Sequence, residues 1–491
     1  MGFIVNLLVT FFLSPVVVNT LGLEVYGIWV VISTLTGYLG LVESGVTVST
    51  GRFLNYYLGR KDLTSASETV STSLVFYVAI GGLLLLLLLL LRPWIETLVP
   101  PTWTVGPGEL FLICMVLALN VLLGFVVAVV GQLLQAENRF DLRNLCALLG
   151  VLLRFALTLS ALNGGGGLLE LAGVQAISTL FTGALMSWFA LNYGPAVRIS
   201  PGGASLRALR ELFGFGKWAM VNNVCAKASV QADVLVVGGL LGVRSVAFYS
   251  VGQMLVEYSF VLVQSVVSVA SPDLIKAVAR GDTGMAKIFI IEGGRASICL
   301  AVPLFIGLMV FGSDFLRLWM GPEFEQGAAV ASILAGARLL CALFQGAGAA
   351  IWALGHVKVL SMAAAMTTAI NLLVSILLIL LAGAGIEGVA VGTLVALFIQ
   401  QMIVYPLLVR RFIGVSLTGL YSTMLPRFIA ASAVVLLTFV SVEELVELSS
   451  WLEFIAVIVP AGLVGIALTA LIVLGRSRVR RLIRRLITPA A

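Results

Sequence analysis

The sequence predicts an all-α integral membrane protein with about fourteen transmembrane helices: two six-helix repeats, two further C-terminal helices, and both termini in the cytoplasm. Three observations carry this expectation. The first is composition. Of 491 residues, 60% are hydrophobic and only 11% charged, whereas a soluble domain carries about 25% charged residues. The second is segment length. The apolar runs extend for about 18–25 residues, the length a helix needs to cross roughly 30 Å of hydrocarbon. They lack the ten-residue alternation of a transmembrane β-barrel. The third is the placement of Lys and Arg, which collects on one side of the predicted membrane.

The segments can be taken in order. Residues 3–20 are apolar from the start, with no charged leader and no small-residue cleavage site, so they read as a span and not as a removable signal. Spans follow at 25–50, 70–91, 109–134, 144–162 and 169–193. A second set lies at 216–240, 246–272, 292–312, 327–353, 361–382 and 386–409, and two more at 424–442 and 452–475. Proline and glycine clusters such as "VPPTWTVGPG" and "NYGPAVRISPGG" punctuate them. The run "LLLLLLLLLRP" over Leu83–Pro93 reads as lipid-facing filler. Pro15, Pro272, Pro303 and Pro406 fall in or at the ends of spans, where a missing amide bends a helix.

Of the 29 Lys and Arg residues, 23 lie in the tail or between an even-numbered span and the first turn of the next, that turn included. The positive-inside rule then puts both termini in the cytoplasm. The basic excess is a consequence of topology and implies no nucleic acid. The tail "RSRVRRLIRR" reads as a stop signal after the last span, or as a segment lying on anionic lipid. Cys114, Cys146, Cys225, Cys299 and Cys341 all fall inside spans, and His356 is the single histidine. This predicts no disulfide, no metal site and no catalytic triad.

An internal repeat is visible. "LGLEVYGIW" at Leu21 corresponds to "LGVRSVAFYS" at Leu241, "NYYLGRKD" to "IKAVARGD", and "GQLLQAENRF" to "AAIWALGHVK". An even number of helices per copy gives a parallel repeat, as in transporters with a midplane site between the halves. The expected division is an N-terminal lobe over 1–193, a cytoplasmic linker over 194–215 and a C-terminal lobe over 216–411. Two extra helices over 412–475 and a basic tail over 476–491 complete it.

Six ionisable residues stand inside spans away from the first turn: Glu43, Arg154, Lys227, Asp233, Glu257 and Arg338. Each costs roughly 2.5–3.5 kcal/mol at the membrane centre on insertion scales, so such residues face the bundle interior or water. Helical spacing gives several of them polar company. Asn223, Lys227 and Gln231 form one stripe, and Arg338 shares a face with Gln345. Lys227 and Asp233, six apart, point about 120° away from each other and need separate partners.

With those residues in view, two stretches resemble a known family. "NTLGLEVYGIWVVISTLTGYLGLVESGVTVSTGRFLNYYLGRKD" and "FGKWAMVNNVCAKASVQADVLVVGGLLGVRSVAFYSVGQML" are similar to the first helix pair and to the seventh and eighth helices of Wzx-type polysaccharide flippases. That family lies within the multidrug, lipid-linked oligosaccharide and polysaccharide exporter superfamily. The resemblance implies two six-helix bundles around a central cavity. It implies flipping of an undecaprenyl-pyrophosphate-linked oligosaccharide across the bacterial inner membrane by alternating access. Under it, Arg154, Lys227 and Arg338, with Asn223, Gln231 and Gln345, line the substrate cavity and hold a pyrophosphate or acidic sugar. Glu43, Asp233 and Glu257 answer a coupling H+ or Na+ or bind sugar hydroxyls. The competing structural reading pairs these charges between helices. Expected partners are the lipid-linked glycan, membrane lipids and a polysaccharide polymerase machinery, with no cofactor.

Three alternatives stay open. A multidrug exporter of the superfamily usually carries a carboxylate in its first helix, and 3–20 has none. A lipid II flippase has fourteen spans, but its first helix is typically arginine-rich. A glycan polymerase or ligase, an enzyme, carries a large external loop, and the longest external segment here is Arg92–Gly108. There is no GxxxxGK[ST] loop for ATP.

Overall fold

The computed structural model describes residues 2–39, 41–98, 105–195, 197–268, 274, 277–278, 284–446 and 448–475. Among them no strand occurs, and each of the fourteen predicted segments falls on helix. Eleven helical runs are long and apolar enough to cross a membrane, and shorter apolar helices accompany them. This is a multi-pass membrane protein. Pro272 and the tail 476–491 lie outside the described residues.

The chain forms two compact units, Met1–Leu235 and Val236–Ala491. The first holds α1 (Gly2–Leu21), α2 (Leu23–Leu39), α3 (Leu41–Gly59), α4 (Leu63–Leu98), α5 (Pro107–Ala136), α6 (Phe140–Asn163), α7 (Leu168–Tyr193) and most of α8 (Leu206–Leu241). The segment expected as one span over 25–50 is therefore two helices, α2 and α3. In the core of this unit Tyr77 of α4 stacks on Phe125 of α5 with ring centroids 5.0 Å apart, surrounded by Val46, Leu54, Val129 and Leu212. Polar side chains tie α3 to α4 inside this core: Thr47 Oγ1 lies 2.9 Å from the Tyr77 hydroxyl, and Thr50 Oγ1 lies 2.7 Å from Ser73 Oγ. Each pair satisfies groups that burial would otherwise leave at a cost. Leu83, Leu86 and Leu90 at the far end of α4 are exposed, as lipid-facing residues should be.

Residues 197–205 run along the start of α4. Their backbone amides at Arg198, Ser200 and Ser205 donate to Ser67 Oγ, Ser71 Oγ and Thr72 Oγ1 at 3.0, 3.2 and 3.0 Å, and the Ser205 hydroxyl donates to Glu68. The hydroxyl-rich sequence "TSASETVSTS" is thus the docking strip for an irregular connection whose amides lack helical partners. Asp62 starts α4. Its carboxylate accepts from the Ser65 amide at 3.0 Å and from the Ser65 hydroxyl at 2.7 Å.

The second unit contains α9 (Val243–Ser268), α10 (Gly284–Met320), α11 (Ala328–Cys341), α12 (Gln345–Ala353), α13 (Val357–Ala382), α14 (Ile386–Ile399), α15 (Tyr405–Ile413), α16 (Leu417–Glu443) and α17 (Trp451–Leu474). The long α10 is its spine, with α9, α11, α16 and α17 packed on it. Gly465 of α17 permits close approach: a Cβ there would stand 3.0 Å from Pro303 Cβ of α10 and 3.1 Å from Phe439 Cζ of α16. Two departures from α-geometry interrupt this unit. A 3-10 turn over Ala342–Phe344 separates α11 from α12, and a π-helical turn over Gln400–Val404 separates α14 from α15. Pro406 follows the π turn. It cannot supply the amide that the Met402 carbonyl would receive in an α-helix. The hydroxyl of Tyr421 on α16 donates to that carbonyl instead.

The repeat is legible in the backbone. Gly22 and Gly242, the glycines of the two Leu-Gly turns, have φ of +81° and +88°. Their tyrosines, Tyr26 and Tyr249, are both buried. The third matched pair forms one and the same turn twice. The Asn138 amide donates to Gln135 O and the Arg139 amide to Leu134 O; the Gly355 amide donates to Trp352 O and the His356 amide to Ile351 O. Asn138 and Gly355 both take the left-handed conformation this helix ending requires.

Candidate functional site

Two polar clusters stand inside the helical units, one in each. In the first unit a cavity of about 290 Å3 opens between α5, α6 and α7. Asn120 of α5, Arg154 of α6, and Gln175, Ser178, Thr179 and Thr182 of α7 give it polar walls. Arg154 Nη2 donates to Asn6 Oδ1 of α1 at 2.9 Å. Asn120 Oδ1 and Ser178 Oγ are buried without a hydrogen-bond partner among the described residues. Arg154 finds little company along its own helix. Its neighbours come from α1, α5 and α7, far away in sequence. The residues at 175, 178, 179 and 182 follow the i, i+3, i+4, i+7 rhythm of one helical face, so that stripe was readable even though its partner was not.

Elsewhere in this unit α8 lies against α2. The Gln231 side chain sits over Gly37, where any Cβ would collide with it. The buried Oε1 of Gln231 has no partner among the described residues. Asp233 is only 1% exposed and lies within electrostatic reach of Tyr38. Glu43, Asn223 and Lys227 sit on helical backbone, but their side chains lie outside the described residues.

In the second unit Arg338 of α11 meets Glu257 of α9. Arg338 Nε donates to Glu257 Oε1 at 3.0 Å, and Nη2 donates to the same oxygen. The guanidinium lies over the Phe260 ring, 4.4 Å from its centroid. Cys341, one turn beyond Arg338, interacts with Gln401 of the π turn. For Glu257 and Arg338, then, the expectation of an interhelical pair and the expectation of a polar site coincide. Gln345 is half-buried at the start of α12. The intervening 3-10 turn advances about 120° per residue in place of 100°, which rotates Gln345 by roughly 60° from the register a continuous helix would give it relative to Arg338. Gln401 and the π turn were not foreseen. Their one sequence signal is Pro406, and π turns recur at functional sites.

Among the described residues no cluster of three or more His, Cys, Asp or Glu could hold a metal ion. What the two clusters offer is guanidinium, carboxylate, amide and hydroxyl groups inside apolar helices, which is recognition chemistry for a charged, hydroxylated solute.

Comparison with known proteins agrees with this setting. Residues 26–329 match the family model described as polysaccharide biosynthesis protein. A protein of Haloferax volcanii named probable low-salt glycan biosynthesis flippase Agl15 is 24% identical over 241 residues, 49% of this chain. The chain spans about half the length of that relative, 51%. An uncharacterized membrane protein of Bacillus subtilis, EpsK, is 23% identical over 93% of this chain and 90% of its own. Among solved structures, the lipid II flippase MurJ in an inward closed conformation superposes with a TM-score of 0.72 at 12% identity, over 96% of this chain and 97% of that one. The fold is therefore of that type.

Proposed function

Because the chain belongs to the polysaccharide biosynthesis protein family, we propose that it is a flippase carrying an undecaprenyl-pyrophosphate-linked oligosaccharide from the inner to the outer leaflet of the bacterial inner membrane. The family match across more than half of the chain carries this reading. The relative named a glycan flippase and the flippase-type fold support it. The protein moves its substrate without making or breaking bonds, and a polysaccharide polymerase machinery receives the product. Both termini lie in the cytoplasm. Arg154, Lys227 and Arg338 hold the pyrophosphate or acidic sugars. Asn223, Gln231 and Gln345 line the substrate cavity with them, and Glu43, Asp233 and Glu257 answer a coupling H+ or Na+ or bind sugar hydroxyls.

The test is genetic and chemical together. Deletion of the gene in its host should abolish the surface glycan and leave the lipid-linked precursor on the cytoplasmic leaflet. Lys227→Ala, Asp233→Ala and Arg154→Ala should reproduce that defect with membrane abundance unchanged. Normal surface glycan in the deletion strain, with new sensitivity to toxic cations, would assign the chain to drug export instead.

A further inference from the structure

The geometry points to Arg338 as an anion site that Glu257 occupies until the pyrophosphate of the transported lipid displaces it, an inference that rests on the flippase reading above. Four features of the pair carry it. First, Arg338 spends two donors, Nε and Nη2, on a single carboxylate oxygen, Glu257 Oε1. Among the described residues Oε2 makes no hydrogen bond, so the fork of the guanidinium is not matched by the fork of the carboxylate. A bidentate partner presenting two oxygens would use the same donors better.

Second, access is graded. The Glu257 side chain is 30% exposed and that of Arg338 14%. The carboxylate is the more accessible of the two, and the position it fills is the one an anion would take to use the same donors.

Third, Arg338 has holders that stay behind when Glu257 leaves. The Phe260 ring lies against its guanidinium, and Cys341 flanks it one turn along α11. The ring is attracted to the cation by its own quadrupole, whatever the carboxylate does. The site therefore keeps its shape while its counter-ion changes.

Fourth, the exchange has a mechanical result. Glu257 and Phe260 are both on α9 and Arg338 is on α11, so trading the carboxylate for a diphosphate removes the charged tie between these two helices of one unit and leaves the apolar ring contact. A ligand shifts a conformational equilibrium only through contacts that differ between the states, and here the differing contact is named. A pyrophosphate carries more charge than one carboxylate and matches guanidinium geometry, so it can win the competition.

The experiment is calorimetric titration of the full-length protein in lipid nanodiscs with a short isoprenyl diphosphate. Glu257→Gln removes the competitor's charge and is expected to tighten binding by roughly ten- to a hundredfold. Glu257→Asp, which keeps the charge but shortens its reach, should fall between that variant and the wild type. Arg338→Lys should weaken binding by about tenfold or more, because an ammonium cannot fork. Equal or weaker affinity in both Glu257 variants would overturn the exchange and leave the pair as a structural tie. That result, with an intact flipping phenotype, refutes the exchange alone; normal glycan export in the deletion strain refutes the flippase reading itself.

Discussion

The hydroxyl of Tyr421 donates to the carbonyl of Met402, the oxygen whose α-helical amide Pro406 cannot supply. Leaving a half-buried carbonyl without its partner falls at the low end of the roughly 1–3 kcal/mol for a buried group, so Tyr421→Phe is expected to lower stability by about 1 kcal/mol. Pro406→Ala restores an amide at this point. It should make the tyrosine change nearly neutral, and a double-mutant cycle on thermal unfolding reads the coupling directly. Additive effects would mean that the hydroxyl does not stand in for the missing amide.

Gly22 and Gly242 turn the chain between α1 and α2 and between α8 and α9 with φ of +81° and +88°. Nothing lies within 4 Å of a Cβ at either position, so the cost of a side chain there is backbone strain alone. Valine at either site should cost about 1–2 kcal/mol, measured as loss of folded protein on heating in detergent. Alanine substitution at Gly392, which is buried, should be worse, since its Cβ would stand 2.9 Å from the Ser375 backbone nitrogen.

Gly465 seats α17 against Pro303 and Phe439. Leucine at this position forces the helix outward, and overpacking of this kind costs about 1–3 kcal/mol. Limited proteolysis should then release a fragment cut near 444–450, between α16 and α17, which the wild type resists.

The Asp62 carboxyl is held below the usual carboxylate range, chiefly by the Ser65 backbone amide and then by the Ser65 hydroxyl. A depressed value means that the cap contributes stability above the ordinary carboxylate pKa of about 4. That contribution is lost as the pH falls through the depressed value. The protection factor of amides at the first turn of α4, which divides out the intrinsic pH dependence of exchange, should fall over that acidic window in the wild type. In Asp62→Ala it should already be low at neutral pH and change no further in acid.

The connection 197–205 is pinned by three side-chain oxygens of α4. At about 1 kcal/mol per hydrogen bond, each of Ser67→Ala, Ser71→Ala and Thr72→Ala should raise tryptic cleavage at Arg198 by roughly fivefold. Unchanged cleavage in the triple variant would show that packing, not these bonds, holds the segment.

Much of this architecture could be read before any coordinates. Span positions follow from apolar length, because a helix in lipid must satisfy its own backbone. The repeat could be read too, since left-handed turns select Gly or Asn, as at Gly355 and Asn138. Changes of helical pitch were not legible. The π turn at Gln400–Val404 leaves a carbonyl that Tyr421 of another helix takes up, and Phe344 of the 3-10 turn at Ala342–Phe344 packs edge-on against the ring of that same tyrosine. Partners were illegible for the same reason. Arg154 meets Asn6 and Arg338 meets Glu257 across gaps that no helical period spans. Spacing finds the face on which a charge lies, and only tertiary packing chooses what it faces.

The pinned connection also bears on where the polypeptide can be divided. An obvious place to split the gene into two co-expressed halves is the irregular stretch before α8. A first half ending there would lose Leu212, which is 1% exposed in the core of its own unit, along with the Gln231 side chain that covers Gly37. That half would be born with a hole it cannot fill alone. Complementation by two fragments should succeed only where the second partner arrives early enough to plug it, whereas a cut in the loop after Gly383 removes no such wedge from the first unit.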